Sequence, residues 1–222
     1  MEKSLLKHRQ CEQRFEFDRE KRQKGKIICG IDEAGRGPWI GRVYAASVVF
    51  DDKTFIEGID DSKKLSEAKR EELFEEIKKR AVSYGIGYAE VEEIERLNIL
   101  EATFLAMERA VKGLSVVPDL VLVDGNREPK LSLRVETVVK GDSASASIAA
   151  ASILAKVSRD RYMREIDKKY PEFSFASNKG YGTKAHIDAL INYGVTPDHR
   201  RSFLKKSEVK YGAFKEYKEK AK

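Results

Sequence analysis

The chain has too few cysteines for a disulfide framework. Cys11 and Cys29 are the only two among 222 residues, and their spacing is not that of a CxxC zinc site. Small secreted domains usually carry several cysteine pairs, so we expect a protein of a reducing compartment. Cys29 lies in an apolar run and is interpreted as a small buried residue.

Long apolar runs are also missing. The N-terminal segment MEKSLLKHRQ has no apolar core of signal-peptide length. The longest run of small apolar residues, Ile148 to Ala155, is interrupted by Ser152 and is too short to span a bilayer. We therefore expect a cytoplasmic protein with no membrane partner. The C-terminal segment carries no recognisable clamp-binding motif, so we expect a monomer.

Charge is abundant and slightly positive. Charged residues make up 36% of the chain, the formal net charge is +6 and the pI is about 9.1. From Lys205 to the end there are seven lysines and three glutamates. This excess fits a nucleic-acid contact surface or an ordinary solvated helix face, and both interpretations stay open.

Four acidic residues are the most informative feature. Asp32 and Glu33 lie in GIDEAGRGP, Asp124 in LVLVDGN and Asp142 in VVKGDSAS. Acids at neighbouring strand ends can converge on one point, where two charges about 4 Å apart repel by roughly 4 kcal/mol. Such a quartet predicts two divalent cations, and oxygen ligands favour Mg²⁺ or Mn²⁺. Singly, Asp124 or Asp142 could also serve a turn or a helix cap.

The order of apolar strand-like and helix-like segments is compatible with an α/β protein whose mixed sheet is covered by helices, and it leaves the topology open. Residues 1–26 are interpreted as a charged peripheral helix or arm without chemistry, and the first three strands as an antiparallel meander. A helix capped by Ser66 follows the second strand, and Pro171 ends the longest helix. Strands are predicted at 26–32, 43–50, 84–91, 120–123 and 133–139, and two further helices at 99–111 and 143–170.

The motifs GIDEAGRGP, DSKKLS, LVDGN, KGDSASASIAAASILAKVSRDR, KGYGT and HRRSF occur in this order between Ile27 and Phe203. Together they resemble the ribonuclease HII family, the bacterial type 2 ribonucleases H. Gly35-Arg36-Gly37 points to this type rather than to ribonuclease HIII, which usually carries Gly-Lys-Gly. The resemblance implies a ribonuclease H-like mixed five-stranded sheet flanked by helices. It also implies a catalytic domain at 27–170 and a C-terminal helical substrate-binding region at 171–222.

The resemblance also implies an activity. The family members are metal-dependent endoribonucleases that hydrolyse the RNA strand of RNA/DNA hybrids. They also cut on the 5′ side of single ribonucleotides in duplex DNA, leaving a 3′-hydroxyl and a 5′-phosphate. The implied mechanism uses two Mg²⁺ or Mn²⁺ ions. Asp32, Glu33, Asp124 and Asp142 match the catalytic and metal-binding acids of the family one for one.

Substrate contacts are implied for a second set of residues. Gly35, Arg36 and Gly37 match the segment that reads the ribonucleotide, and Tyr181 matches the residue that packs on the next deoxyribose. His199 is interpreted as a substrate or structural contact rather than a general base, and His8 and His186 as residues without supporting neighbours. The other positions that match the family near the substrate are Lys63, Lys140, Ser143, Lys156, Arg159, His199 and Arg200.

One segment departs from the family pattern. Trp39-Ile40-Gly41-Arg42 stands where the family usually has small apolar residues and Gly-Pro. We expect Arg42 to add charge near the crevice. Two alternative functions stay open: another two-metal nuclease of the same fold, such as a junction resolvase, and a non-catalytic hybrid-binding module.

Overall fold

The sheet is the centre of the fold. A computed structural model describes residues 2–22 and 25–217. The described part contains a five-stranded sheet with the order β3-β2-β1-β4-β5. The β1–β2 and β2–β3 pairs are antiparallel, and the β1–β4 and β4–β5 pairs are parallel, so the predicted mixed sheet and meander are confirmed. The strands are β1 (Ile28–Ala34), β2 (Val43–Val49), β3 (Ser83–Ala89), β4 (Leu120–Asp124) and β5 (Val135–Val138).

Helices cover both faces of this sheet. Ser66 caps α2 by accepting a hydrogen bond from the Lys69 amide, as predicted. The C-terminal region is helical, also as predicted. The helices of the described residues are α1 (Glu2–Lys21), α2 (Glu67–Arg80), α3 (Val91–Leu97), α4 (Ile99–Lys112), α5 (Gly141–Ala144), α6 (Ala146–Lys169), α7 (Phe175–Asn178), α8 (Lys184–Tyr193) and α9 (Arg201–Tyr211).

The long helix α6 lies directly against the central strand. A side chain at Gly30 of β1 would meet the Ile148 backbone nitrogen at 2.3 Å, so only glycine permits this approach. The first half of α6 consists mostly of Ala, Ser and Ile, with Ala146, Ala149 and Ala150 fully buried. This contact brings the start of α6 close to the end of β1.

The predicted helix at 143–170 is wrong at its start. Ser145 has extended backbone angles, φ −115° and ψ 132°, and separates α5 from α6. The break occurs because the Ser145 hydroxyl caps α6, where it lies 3.2 Å from the Ile148 amide that it accepts from. Asp142 therefore lies in a short separate turn, not at the mouth of one continuous helix.

The N-terminal helix is less peripheral than predicted. Cys11 and Phe15 of α1 belong to the core beneath the sheet, and Arg14 and Asp18 are 4% and 2% exposed. Among the described residues, no helix is long and apolar enough to cross a membrane. Part of the predicted lysine-rich segment, residues 218–222, lies outside the described residues. The domain boundaries stay a prediction.

Candidate active site

Three carboxylates meet at one edge of the sheet. Asp32 lies near the end of β1, and Asp124 lies at the end of the adjacent parallel strand β4, so the two acids are neighbours. Asp142 joins them from the short helix α5. One oxygen from each of these three residues lies within 4.8 Å of the others. The group contains oxygen donors alone, which is typical of Mg²⁺, Mn²⁺ or Ca²⁺ sites.

The backbone holds these acids in place. Asp124 accepts a hydrogen bond from the Gly141 amide at 2.7 Å, which ties the end of β4 to the turn that carries Asp142. Gly141 has no room for a side chain, because a Cβ atom there would come within 2.6 Å of Ile148. Asp32 accepts from the Glu33 amide at 2.7 Å. The cluster is thus built by the strand ends and one glycine turn.

Burial and mutual repulsion make the ionised cluster costly. Burial raises the pKa of Asp32 well above its usual value, and the Glu33 and Asp124 carboxylates raise it further. Burial likewise raises the pKa of Asp142, together with the charges of Asp61 and Asp124. A divalent cation would relieve both effects by compensating the negative charge.

Glu33 lies outside this group of three. Successive side chains of a strand point to opposite faces, so Glu33 leaves β1 on the other side from Asp32. It is still close enough for its charge to raise the pKa of Asp32 and for the Asp124 charge to raise its own pKa. Its carboxylate forms an ion pair with Arg36 at 3.2 Å and lines a cavity of about 90 Å³ that also includes Asp124 and residues of α4. Burial raises the pKa of Glu33, and Arg36 opposes that change. Metal ligation by Glu33 stays a prediction.

The two predicted substrate segments are in contact. A Cβ atom at Gly37 would lie 3.2 Å from the ring of Tyr181, so the glycine segment and the Tyr181 ring pack together. Gly35 has φ +101°, and a Cβ there would lie 2.2 Å from the Arg159 Nε atom. Arg36 is exposed, and Tyr181 is 51% exposed. The structure therefore brings together Gly35, Arg36, Gly37 and Tyr181.

Basic and hydroxyl groups surround the acids. Lys63, Lys140 and Ser143 are exposed. Burial lowers the pKa of Lys63, but the nearby carboxylates, chiefly Asp61 and Asp142, outweigh it and raise the pKa. Lys140 has left-handed backbone angles, with φ 56°, directly before Gly141. Contact of these three residues with a nucleic acid stays a prediction.

The side chains of His199 and Arg200 do not reach the surface. They are 2% and 0% exposed, so direct contact of these two side chains with a docked substrate does not fit the structure. The Arg200 guanidinium instead donates to the carbonyls of Arg36, Pro38 and Gly41 from behind the glycine segment. For His199 this is the structural contact that the sequence interpretation left open, whereas Arg200 was predicted to bind substrate and is instead internal.

Two further predicted positions are also largely internal. Arg159 is 2% exposed and donates to the Lys179 carbonyl at 3.0 Å. Lys156 is half-buried and forms an ion pair with Asp160 at 2.7 Å. Burial lowers the pKa of Lys156, and Asp160 opposes that change. Arg159 supports the segment that carries Tyr181, and Lys156 pairs within α6, so neither forms an open basic surface.

Arg42 does not bring an unpaired charge to the crevice. Its guanidinium lies 4.2 Å from the Tyr88 ring centroid and 4.9 Å from that of Tyr162. It also forms an ion pair with Glu90 at 2.7 Å. The expected added charge is therefore compensated within the fold.

Several residues near the site were missed by the sequence interpretation. Asp61 acts on the pKa of Asp142 from the DSKKLS turn, and its position beside a lysine pair was the available signal. Asp18 of α1 accepts hydrogen bonds from the serines that precede and begin α6. His186, interpreted as lacking neighbours, lies 3.0 Å from His199 through their Nε2 atoms. No sequence spacing reveals the last two contacts.

The fold and the acid cluster define a class of protein. A mixed five-stranded sheet with carboxylates at the ends of its central parallel pair is the arrangement of a ribonuclease H-like nuclease. The buried acidic cluster is compatible with divalent metal binding.

Comparisons with known proteins specify the family. The family model of Ribonuclease HII matches residues 29–207. A Ribonuclease HII of Clostridioides difficile is 54% identical over 208 residues, covering 91% of this chain and 82% of the relative. Another, of Albidiferax ferrireducens, is 56% identical over 183 residues, covering 82% and 88%. The chain therefore belongs to the ribonuclease HII family.

A solved structure agrees with this assignment. The crystal structure of the ribonuclease H2 from Pyrococcus horikoshii superposes with a TM-score of 0.70 at 30% identity. The match covers 83% of this chain and 98% of that protein. The ribonuclease H-like fold is confirmed, and the chain is a ribonuclease H, an enzyme family that acts on RNA/DNA hybrids. This excludes the non-catalytic hybrid-binding module.

Proposed function

We propose that this ribonuclease H cuts the RNA strand of hybrids and also cuts on the 5′ side of a single ribonucleotide in duplex DNA. The products would be a 3′-hydroxyl and a 5′-phosphate. The observation that carries the proposal is the meeting of Asp32, Asp124 and Asp142 within 4.8 Å of one another. The packing of Gly37 against the Tyr181 ring supports the proposed reading of a ribonucleotide by these residues.

Asp32, Asp124 and Asp142 would hold two divalent cations, with Glu33 as a fourth ligand. The all-oxygen donor set and the charge repulsion between buried acids fit Mg²⁺ or Mn²⁺. When bound, such ions supply Lewis-acid stabilisation of charge that develops on the phosphodiester oxygens. The chain itself contributes the rigid strand ends that fix where these ions bind.

The glycine segment and Tyr181 would select the cleavage position. Recognition of RNA requires a contact with the 2′-hydroxyl, which can donate and accept a hydrogen bond. The backbone at Gly35 and Gly37 can approach a sugar closely because these residues have no side chain. The half-exposed ring of Tyr181 offers an apolar surface for the next deoxyribose. This pairing favours an RNA-to-DNA junction.

The test compares three end-labelled substrates with the purified protein in Mg²⁺ and in Mn²⁺. They are a DNA duplex with one ribonucleotide, a long RNA/DNA hybrid and an all-DNA four-way junction. We expect cleavage of the first two and none of the junction. An uncut single-ribonucleotide strand in both metals would refute the proposal, and equal cutting of the junction would favour a resolvase.

Two variants complete this experiment. Tyr181→Ala should reduce cleavage of the single-ribonucleotide duplex more than cleavage of the long hybrid, since it removes the deoxyribose contact. Glu165→Gln provides a matched control, because Glu165 is an exposed acid of α6 that pairs with Lys168 away from the cluster. It should leave both rates unchanged. Equal losses on both substrates in Tyr181→Ala would contradict the assigned role of Tyr181.

A further inference from the structure

A buried row of polar groups runs from the C-terminal region to Tyr181. The Thr196 amide and hydroxyl lie 3.0 Å and 2.7 Å from His199 Nδ1. His199 Nε2 lies 3.0 Å from His186 Nε2. His186 Nδ1 then lies 3.0 Å from the carbonyl oxygen of Tyr181. Two imidazoles thus connect one loop to the backbone of the proposed recognition residue.

The partners fix which nitrogen carries each proton. The Tyr181 carbonyl can only accept, so His186 Nδ1 must donate. A neutral His186 then accepts at Nε2, which requires His199 Nε2 to donate. A neutral His199 in turn accepts at Nδ1, where the Thr196 amide donates. With one proton on each ring, this is the only arrangement of neutral tautomers in which each of the three contacts joins a donor to an acceptor.

The surroundings keep both rings neutral. His186 is 0% exposed and His199 is 2% exposed, and the rings of Phe173 and Phe175 pack against them. Burial lowers the pKa of His186 to about 4. Burial also lowers the pKa of His199 well below its usual value, and the neighbouring His186 adds to this effect. A proton added to His186 would place two donors against each other at the His186–His199 contact, and a proton added to His199 would do so between its Nδ1 and the Thr196 amide.

The residue after His199 supports the other recognition segment. Arg200 donates to the Pro38 carbonyl at 2.8 Å and to the Arg36 carbonyl at 3.2 Å. Its own backbone amide donates to the Trp39 carbonyl at 2.7 Å. Adjacent residues of one loop therefore hold the glycine segment on one side and, through His186, the Tyr181 backbone on the other.

We propose that His186 and His199 are positioning residues for substrate recognition, which hold Tyr181 against Gly37 through a relay of two neutral imidazoles. This inference rests on the proposed role of Tyr181. The relay does not touch the acid cluster. Its loss should therefore weaken recognition of the RNA-to-DNA junction and leave the chemistry at the carboxylates in place.

The kinetic test uses His186→Leu and His186→Asn on the single-ribonucleotide duplex and the long hybrid. His186→Leu fills the same space without a donor, and we expect KM for the junction substrate to rise about 10-fold, as when a supporting hydrogen bond is lost. The kcat value on the long hybrid should change by less than about twofold. His186→Asn retains a donor toward the Tyr181 carbonyl and should recover part of the loss.

A double variant separates positioning from simple core packing. In a Tyr181→Ala background, His186→Leu should add no further loss on the junction substrate, because the residue that the relay positions is absent. Additive losses would overturn the proposal. Equal loss on both substrates by His186→Leu alone would also overturn it. Wild-type protein that fails to cut the single-ribonucleotide duplex would refute the proposed function instead.

A spectroscopic measurement tests the tautomers directly. In nitrogen-15 NMR at pH 7, with the His8 signals assigned from a His8→Gln variant, His186 and His199 should appear as two neutral rings, one protonated at Nδ1 and the other at Nε2. The signal of the Nδ1-protonated ring should disappear in His186→Asn. The same tautomer at His186 and His199, or a charged ring at either of them, would overturn the relay whatever the kinetic results.

Discussion

The buried carboxylate of Asp18 and the cluster of Asp32, Asp124 and Asp142 lie in contrasting surroundings. Asp18 of α1 is 2% exposed and accepts hydrogen bonds from the Ser145 hydroxyl and from the Ser147 amide and hydroxyl, at 2.6 to 2.7 Å. Asp32 is 5% exposed, but its neighbours include the carboxylates of Asp124 and Asp142. Burial raises the pKa of both Asp18 and Asp32. The surrounding groups then act in opposite directions.

This difference distinguishes an acid that stabilises the fold, Asp18, from acids that are proposed to bind metal ions. The serines lower the pKa of Asp18 and so oppose the effect of burial, whereas Glu33 and Asp124 raise that of Asp32 further. An acid surrounded by donors stabilises the fold by itself. Acids that face one another repel when they are ionised, and a bound metal cation would compensate this repulsion. Aspartate-to-asparagine changes at the two places should therefore have opposite consequences.

The largest expected effect is on activity at the cluster. Asp142→Asn removes one metal ligand of similar shape, and hybrid cleavage should fall by more than the roughly 10²- to 10³-fold that accompanies the loss of one transition-state donor. The melting temperature in EDTA should be unchanged or higher, because one repelling charge is gone. Steady-state kinetics and calorimetry measure the two quantities. Retained turnover would remove Asp142 from the catalytic set.

The second largest effect should be the stabilisation of the fold by added metal ions, which depends on the acid cluster and not on Asp18. At a Mg²⁺ concentration 100 times its dissociation constant, the free energy of unfolding should rise by about 2.7 kcal/mol in wild-type protein. The rise should be largely lost in Asp142→Asn and kept in Asp18→Asn. Thermal melts with and without EDTA provide the measurement. A wild-type melting temperature that is indifferent to Mg²⁺ and Mn²⁺ would contradict the metal site.

A smaller effect is expected at the structural acid. Asp18→Asn turns one acceptor into a donor against the Ser145 and Ser147 groups, so the free energy of unfolding should fall by about 2 kcal/mol. Hybrid cleavage at 25 °C should persist in the molecules that remain folded. Denaturant titration is the measurement, and Glu16→Gln on the exposed side of α1 is the control. An unchanged free energy of unfolding would show that the hydrogen bonds from Ser145 and Ser147 to Asp18 do not stabilise the fold.

The smallest effect concerns pH. The folded-state pKa of Asp32 is raised above 3.8, so its stabilising contribution is complete below pH 3.8 and is lost as the pH rises through the raised value. In EDTA, Asp32→Asn should therefore gain stability relative to wild type above pH 3.8, by about 1.4 kcal/mol for each unit of pKa shift. Denaturant titrations across pH test this. A constant difference would contradict the raised pKa.

Much of the fold follows from local patterns. The five apolar runs gave the strands, and Ser66 marked the start of α2 because a serine cap acts within four residues. The prediction failed at Ser145, where Asp18, 127 residues away, accepts from the hydroxyl that caps α6. A long-range contact of this kind leaves no periodicity in the sequence.

The sequence also predicted part of the site, namely the convergence of three of the four acids. Asp32, Asp124 and Asp142 converge because strand ends at glycine turns meet at one edge of the sheet. Glu33 follows the same motif but points to the other face of β1, a consequence of strand alternation that motif order does not express. The relay through His186 and His199 depends on how α8 packs against the loop before α9, which spacing alone does not determine.

The parallel pairing of β1 with β4 has a consequence for the maturing chain. Ile28 pairs with Leu120, and the third carboxylate comes later still, from Asp142. A polypeptide that has emerged only as far as the meander holds a single member of the triad. Assembly of the three carboxylates therefore requires a chain that extends at least to Asp142 and a pairing of strands that lie about 90 residues apart in the sequence, which makes the site a feature of high contact order.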